Sequence, residues 1–189
     1  MAGVVVGAAL GRAYEGICAM SKRLPEAELS HISKSGRARM VSVAGKARTV
    51  RTARAEAWVD VGADIAALLR RSGEVAKGNV LETARLAGIL AAKRTSELIP
   101  MCHTLPLDAV ELDATLVDNR VRLEARVCCE GKTGAEMEAM TAAAVAALTV
   151  YDMVKSAGKE VEIGPIRLLE KTGGKSGHWR RGGVASGQG

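Results

Sequence analysis

The stretch VELDATLVDNRVRLEARV, residues 110–127, decides the fold. Val110, Leu112, Ala114 and Leu116 alternate with polar neighbours, and so do Val121, Leu123, Ala125 and Val127. A period of two marks a strand with one apolar face. Asp118-Asn119 lies between the two runs and has the length and composition of a hairpin turn. The other faces carry Glu111 and Asp113 on one strand and Arg122, Glu124 and Arg126 on its partner. Opposite charges at facing positions suit cross-strand ion pairs.

Upstream of this hairpin, Ala55, Ala57, Val59 and Val61 share one face of a further strand, and Asp64 to Arg71 reads as a short helix. Asn79, with Glu82 three residues on, is a capping box that opens a second helix running to about Arg94. Downstream, Thr133-Gly134-Ala135-Glu136 has the same form and opens a long Ala-rich helix, stopped near Ala157 by Gly158. Val161 to Leu169 is the last strand, with Gly164-Pro165 marking an edge or a bulge. The order β-α-β-β-α-β is the α+β, ferredoxin-like split βαβ sandwich: an antiparallel sheet with helices packed on one face. Residues 30–172 are expected to form that single domain. Residues 1–29 read as a disordered arm. Their apolar run Val4–Leu10 is short for a secretory core and follows no positive residue, and Met20 offers a second plausible start. Residues 173–189, with seven glycines, read as a flexible tail.

A chain of 189 residues is about one domain in size. Its formal charge of +6 suits anionic ligands. Two Tyr, two Trp and no Phe leave almost nothing on which bases could stack, so no nucleic-acid partner is expected. No run of about 18 apolar residues is visible, so no membrane partner is expected either. Cys18, Cys102, Cys128 and Cys129 form no CxxC pair, which points to a reducing compartment, the cytoplasm, and away from structural zinc.

Gly131-Lys132-Thr133 and Gly174-Lys175-Ser176 both echo a P-loop. The glycine that such a loop needs five residues earlier is Arg126 in one and Leu169 in the other, so neither qualifies. Lys132 still precedes a helix N-terminus, a place that favours phosphate, although a plain turn and cap explain it equally well. Lys77-Gly78 precedes the second helix in the same way. His103 follows Met101-Cys102 in a Pro-bounded loop, either as a hydrogen-bonded structural group or as a catalyst. It has no neighbouring histidine with which to bind a metal.

Asp152 and Lys155 share a helix face near the end of an apolar run. They are either surface decoration or a pair in which a partly desolvated lysine acts as acid or base near neutral pH. Glu138 lies 14 residues from Asp152, about 21 Å along the axis, so one site could use both only through two copies of the helix. The smooth surface of Ala139, Ala142, Ala143, Ala144, Ala146 and Ala147 suggests a subunit interface, the alternative being a deep position in one subunit's own core.

KGNVLETARLAGILAAKRTSELIPMCHTLPL (77–107), GKTGAEMEAMTAAAVAALTVYDMVK (131–155) and IGPIRLLEKTGGKSG (163–177) together resemble the cyclic pyranopterin monophosphate synthase family of molybdenum cofactor biosynthesis. The likeness runs from about His31 to Gly177. It implies a homohexamer, a trimer of dimers with active sites between subunits, that converts 3′,8-cyclo-7,8-dihydroguanosine 5′-triphosphate to cyclic pyranopterin monophosphate and diphosphate. Carried over by position, it places the catalytic aspartate on Asp152 and its lysine on Lys155. It places substrate contacts on Met101, Cys102, His103, Met137 and Glu138, with Glu136, Arg51, Lys77 and Lys171 close by. It implies no cofactor and no protein-held metal, although Mg²⁺ can accompany the triphosphate. Thr104 stands where the family commonly has proline, and the turn at Asp118 is shorter than in some relatives.

Overall fold

A computed structural model describes residues 37–75 and 77–182. The expected arm, 1–29, lies outside the described residues. Contacts divide the chain into residues 1–39 and a larger unit, 40–189, and the fold below is that of the larger unit. Its elements are β1 (Thr49–Asp60), α1 (Gly62–Ser72), β2 (Glu74–Val75), β3 (Gly78–Asn79), α2 (Val80–Lys93) and α3 (Thr95–Leu98). They continue with β4 (Ala109–Val117), β5 (Arg120–Gly131), α4 (Glu136–Val154), β6 (Glu162–Ile163), β7 (Arg167–Thr172) and β8 (Trp179–Arg180).

The main sheet has the order β4-β5-β1-β7-β8, with β6 also on β1 and every pair antiparallel. The hairpin therefore adds to one side of the first strand and the last strand to the other, which is the ferredoxin-like order with α2 and α4 on one face. Leu112 faces Ala125 and Ala114 faces Leu123, as the alternation predicts. Asp118 turns the hairpin with φ +50°. Asn79 caps α2, its side-chain oxygen accepting from Glu82 N at 3.0 Å. The final strand is interrupted at Gly164–Ile166, and a separate register slip on β1 between Arg54 and Ala55 lies opposite Leu168–Glu170 rather than at Gly164-Pro165.

Four expectations need correction. The first strand begins at Thr49 rather than Ala55, because β1 pairs with β5 along its whole length, from Thr49↔Gly131 to Asp60↔Arg120. The long helix is not opened by a Thr133 capping box. It starts at Glu136 after an Ala135 cap without a side-chain bond, because the Glu136 carboxylate folds back over Gly134 and pairs with Lys171 at 2.6 Å. The tail expected from residue 173 keeps strand order at Trp179 and Arg180, which face Lys171 and Glu170 and are held further by Arg181 N–H donating to Leu169 O. Finally, α4 does satisfy the length and composition of a membrane span, with a window of mean hydropathy 1.3. It is nonetheless the core helix of the sandwich, with ten of its residues buried.

That burial also resolves the alternative for the alanines. Ala139, Ala142, Ala143, Ala146 and Ala147 are fully covered within one subunit by the sheet and α2, so they are core rather than interface, and only Ala144 stays partly open. The exposed large apolar side chains of α2 and α4 are Leu86 and Leu90 on the first and Leu148 and Tyr151 on the second.

Close helix approach is set at Gly88, where an added Cβ would press on Leu112 and lie 2.9 Å from the Ala142 carbonyl oxygen. Glycine to alanine inside a helix ordinarily gains about 1 kcal/mol. Here overpacking against backbone outweighs that gain, and Gly88→Ala should lower stability by about 1–3 kcal/mol, read as a lower urea midpoint. A raised midpoint would show that the two helices can move apart freely.

The sheet's other face is polar. Glu56 and Glu124, each 4% exposed, are gripped by Arg54, Arg122, Arg126 and Arg167. Burial pushes the Glu56 carboxyl up, yet hydrogen bonds from Arg167 and Arg122 outweigh it and hold the group below its ordinary range.

Candidate functional site

The candidate residues gather at the two ends of α4. At its C-terminal end, Asp152 lies between two ammonium groups. Lys155 Nζ is 2.6 Å from Oδ1, and Lys77 Nζ is 3.0 Å from Oδ2 and 2.7 Å from the Asp152 carbonyl oxygen. Lys77 reaches this place because the β2–β3 turn, with Gly78 at φ +105°, brings the start of α2 alongside the last turn of α4. The hydrogen bond from Lys155, then that from Lys77, holds the Asp152 carboxyl below its usual range.

The same contact raises the Lys155 ammonium. Lys155 is therefore not the partly desolvated lysine expected from the sequence. Met153 and Val154 of the last turn are buried, whereas the Lys155 side chain that follows is 53% exposed. Any desolvation must come from substrate or from another subunit.

At the N-terminal end, Arg51 on β1 faces Cys129 on β5, and Lys171 on β7 faces Ala53. Side chains alternate along a strand, so Arg51, Ala53 and Lys171 all project to the helix side. Lys171 pairs with Glu136 at 2.6 Å. Arg51 has no ion pair among the described residues, and its buried Nε has no hydrogen-bond partner.

One turn into α4, Glu138 is 4% exposed. Burial, reinforced by the Glu136 charge and opposed by a backbone hydrogen bond, pushes its carboxyl up to about 7. Glu138 in turn adds to burial in raising the Cys102 and Cys129 thiols, which places the Met101–His103 loop at this end. That loop is held by Cys102 N–H donating to Ile99 O at 3.0 Å and by a 3.1 Å hydroxyl bond from Thr104 to Ser96. A hydrogen bond thus takes the place of the ring that proline would supply.

Met137 and His103 are half-buried beside these groups in the chain. Lys132, a candidate phosphate contact, instead donates to Ala44 O at 3.0 Å.

The structure therefore brings Arg51, Cys102, Glu136, Glu138 and Lys171 together, and separately Lys77, Asp152 and Lys155. It does not join the two groups within one subunit, since about 21 Å of helix separates Glu138 from Asp152. Three surface clefts of about 320, 480 and 380 Å³ lie elsewhere, none lined by a candidate residue. Among the described residues no three His, Cys, Asp or Glu side chains converge as metal ligands, and Cys102, Cys128 and Cys129 are free thiols.

Three features were not legible beforehand: the Lys77–Asp152 pair, the placing of Cys129 beside Glu138, and the covering of Arg51 by Gly173 and Gly174. Partners 75 residues apart leave no local pattern.

Of the protein-family models, that described as the MoaC family matches residues 40–174. The match takes in more than half of the chain and both ends of α4.

Proposed function

The chain belongs to the MoaC family, and from that premise we propose that it is a cyclic pyranopterin monophosphate synthase. The membership itself makes it an enzyme of molybdenum cofactor biosynthesis. The finer reading is a lyase acting on (8S)-3′,8-cyclo-7,8-dihydroguanosine 5′-triphosphate, releasing diphosphate as the cyclic phosphate closes and the guanine-derived ring is rebuilt.

The observation that carries this reading is the division of labour along α4. One end holds an ionised carboxylate between two lysines, suited to moving protons at the reacting ring. The other offers Arg51 and Lys171 for phosphate oxygens, beside a Glu138 poised to give or take a proton near neutral pH. Met101, Cys102, His103 and Met137 border that second end. Glu136 holds Lys171 in place.

On this reading each site is completed by a neighbouring subunit, as in a hexamer built from dimers, and the uncovered Leu86, Leu90, Leu148 and Tyr151 supply apolar contact surface. No redox step is required, and Mg²⁺, where used, rides on the triphosphate. Free thiols suit the cytoplasm.

The test is diphosphate release from the cyclic triphosphate by wild type and by Lys155→Ala. Wild type should turn over and the variant should lose about 10²–10⁴-fold in kcat, the usual weight of a proton-transfer group. Equal release by both would remove Lys155 from the chemistry and make His103 the next group to replace. No release from an intact oligomer would leave a non-catalytic anion-binding module.

A further inference from the structure

The segment Gly173-Gly174-Lys175-Ser176-Gly177 fails as a P-loop and is not absorbed by the two clusters at the ends of α4. It leaves β7 directly after Lys171 and Thr172, and Thr172 pairs with Thr52 next to Arg51. Three of its glycines have positive φ, +94° at Gly173, +71° at Gly174 and +59° at Gly177. Gly177 N–H donates to Gly174 O at 3.1 Å, closing a tight turn.

Two of these glycines are also required by the space around them. A Cβ on Gly173 would lie 2.9 Å from Arg51 Cδ, and one on Gly174 would lie 2.6 Å from Arg51 Cζ and closer still to Nη1. The bare backbone thus forms a wall on which the Arg51 side chain lies. Arg51 has no acid to pair with among the described residues and a buried, unpartnered Nε. A guanidinium held in place but left unpaired is ready for an anion. Lys175, exposed and without an ion pair among the described residues, follows in the chain directly on that wall.

We infer that the Gly173–Gly177 turn is a polyphosphate-gripping loop, in which Gly173 and Gly174 position the Arg51 guanidinium and Lys175 adds a second cation to the same phosphates. The inference deepens the proposed function and rests on it for the identity of the physiological polyphosphate. The chemistry recognised is that of a linear phosphate chain, such as the end of a nucleoside triphosphate or the diphosphate leaving group. Gly173 and Gly174 are positioning residues, acting through Arg51.

The experiment measures binding of inorganic tripolyphosphate by titration calorimetry to the full chain, beside turnover of the cyclic triphosphate. Lys175→Gln changes only an exposed side chain, so its thermal unfolding without ligand should match wild type. Its Kd for tripolyphosphate should rise about fivefold, the weight of one exposed charge-assisted contact. In turnover its KM should rise with kcat unchanged. Gly174→Ala should weaken tripolyphosphate binding as much as Arg51→Gln does. The double variant should be no weaker than Arg51→Gln alone, because the glycine works only through the arginine.

Wild-type affinity in both Lys175→Gln and Gly174→Ala would overturn the loop, whatever becomes of the enzyme reading. Tripolyphosphate binding lost in these variants, from a chain with no turnover, would keep the loop and overturn the enzyme reading instead. Should Gly174→Ala fail to fold, Lys175→Gln decides alone.

Discussion

Mixing subunits that carry Lys155→Ala with subunits that carry Arg51→Ala should restore turnover that neither variant has by itself. The expectation follows from the length of α4. Lys155 and Asp152 sit at one end, Arg51 and Glu138 at the other, and about 21 Å of helix lies between the two acids. Groups that act on one substrate must come within hydrogen-bond reach of it, so a compact site cannot take both ends from one copy.

Two-fold pairing of subunits, with each site taking one end from either copy, makes a numerical forecast. In a random one-to-one mixture half of the pairs are mixed, and each mixed pair has one site with both ends intact. About a quarter of the sites should then work. Each variant alone should fall by about a hundredfold or more, Lys155→Ala in kcat and Arg51→Ala mainly in KM. The readout is diphosphate release after subunit exchange, with exchange itself verified by native mass spectrometry. Recovery near zero in a fully exchanged mixture would mean that each site is built from one subunit.

The hairpin and the two main helices were legible because their signals are local. Alternation over Val110–Leu116 and Val121–Val127 needs no knowledge of partners, and the Asn79–Glu82 cap spans three residues. The signals that misled were local too. Thr133 and Glu136 fit a capping box by spacing, but the carboxylate is taken by Lys171, 35 residues away. The alanine stripe of α4 records close packing, yet spacing alone cannot say whether α2 or a second subunit does the packing. Gly88, on α2, answers it by letting that helix approach the Ala142 carbonyl.

In the site, residue types could be proposed from the family likeness, but not their surroundings. The apolar run ahead of Asp152 and Lys155 suggested desolvation, whereas Met153 and Val154 take the buried side of that turn and both charged side chains are more than half exposed. Glu138 is the converse case. It sits two residues from the salt-bridged Glu136, but the helical turn carries it under the Met101–His103 loop and out of water.

Glu138→Gln should make the protein more stable above neutral pH while lowering its activity. The carboxyl is 4% exposed, and burial lifts it from 4.5 in the ordinary range to about 7. Between those values the folded chain binds more protons than the unfolded chain, so stability falls as pH rises through that window. Above about pH 7 the full penalty is present, on the order of 3 kcal/mol for a shift of this size. Glutamine keeps the hydrogen-bonding oxygen and cannot ionise, so the penalty vanishes with it.

Urea unfolding of both proteins from pH 4 to pH 8 isolates the effect, because other titrating groups cancel in the difference. The variant should match wild type at about pH 4 and exceed it by about 2–3 kcal/mol at pH 8. A variant destabilised equally at every pH would instead mark Glu138 as an ionised, hydrogen-bonded structural group. With the expected result, a carboxylate that weakens the fold at working pH would be retained for its proton rather than for packing. Loss of turnover in the stabilised variant would complete that inference, since destabilising side chains persist where activity needs them.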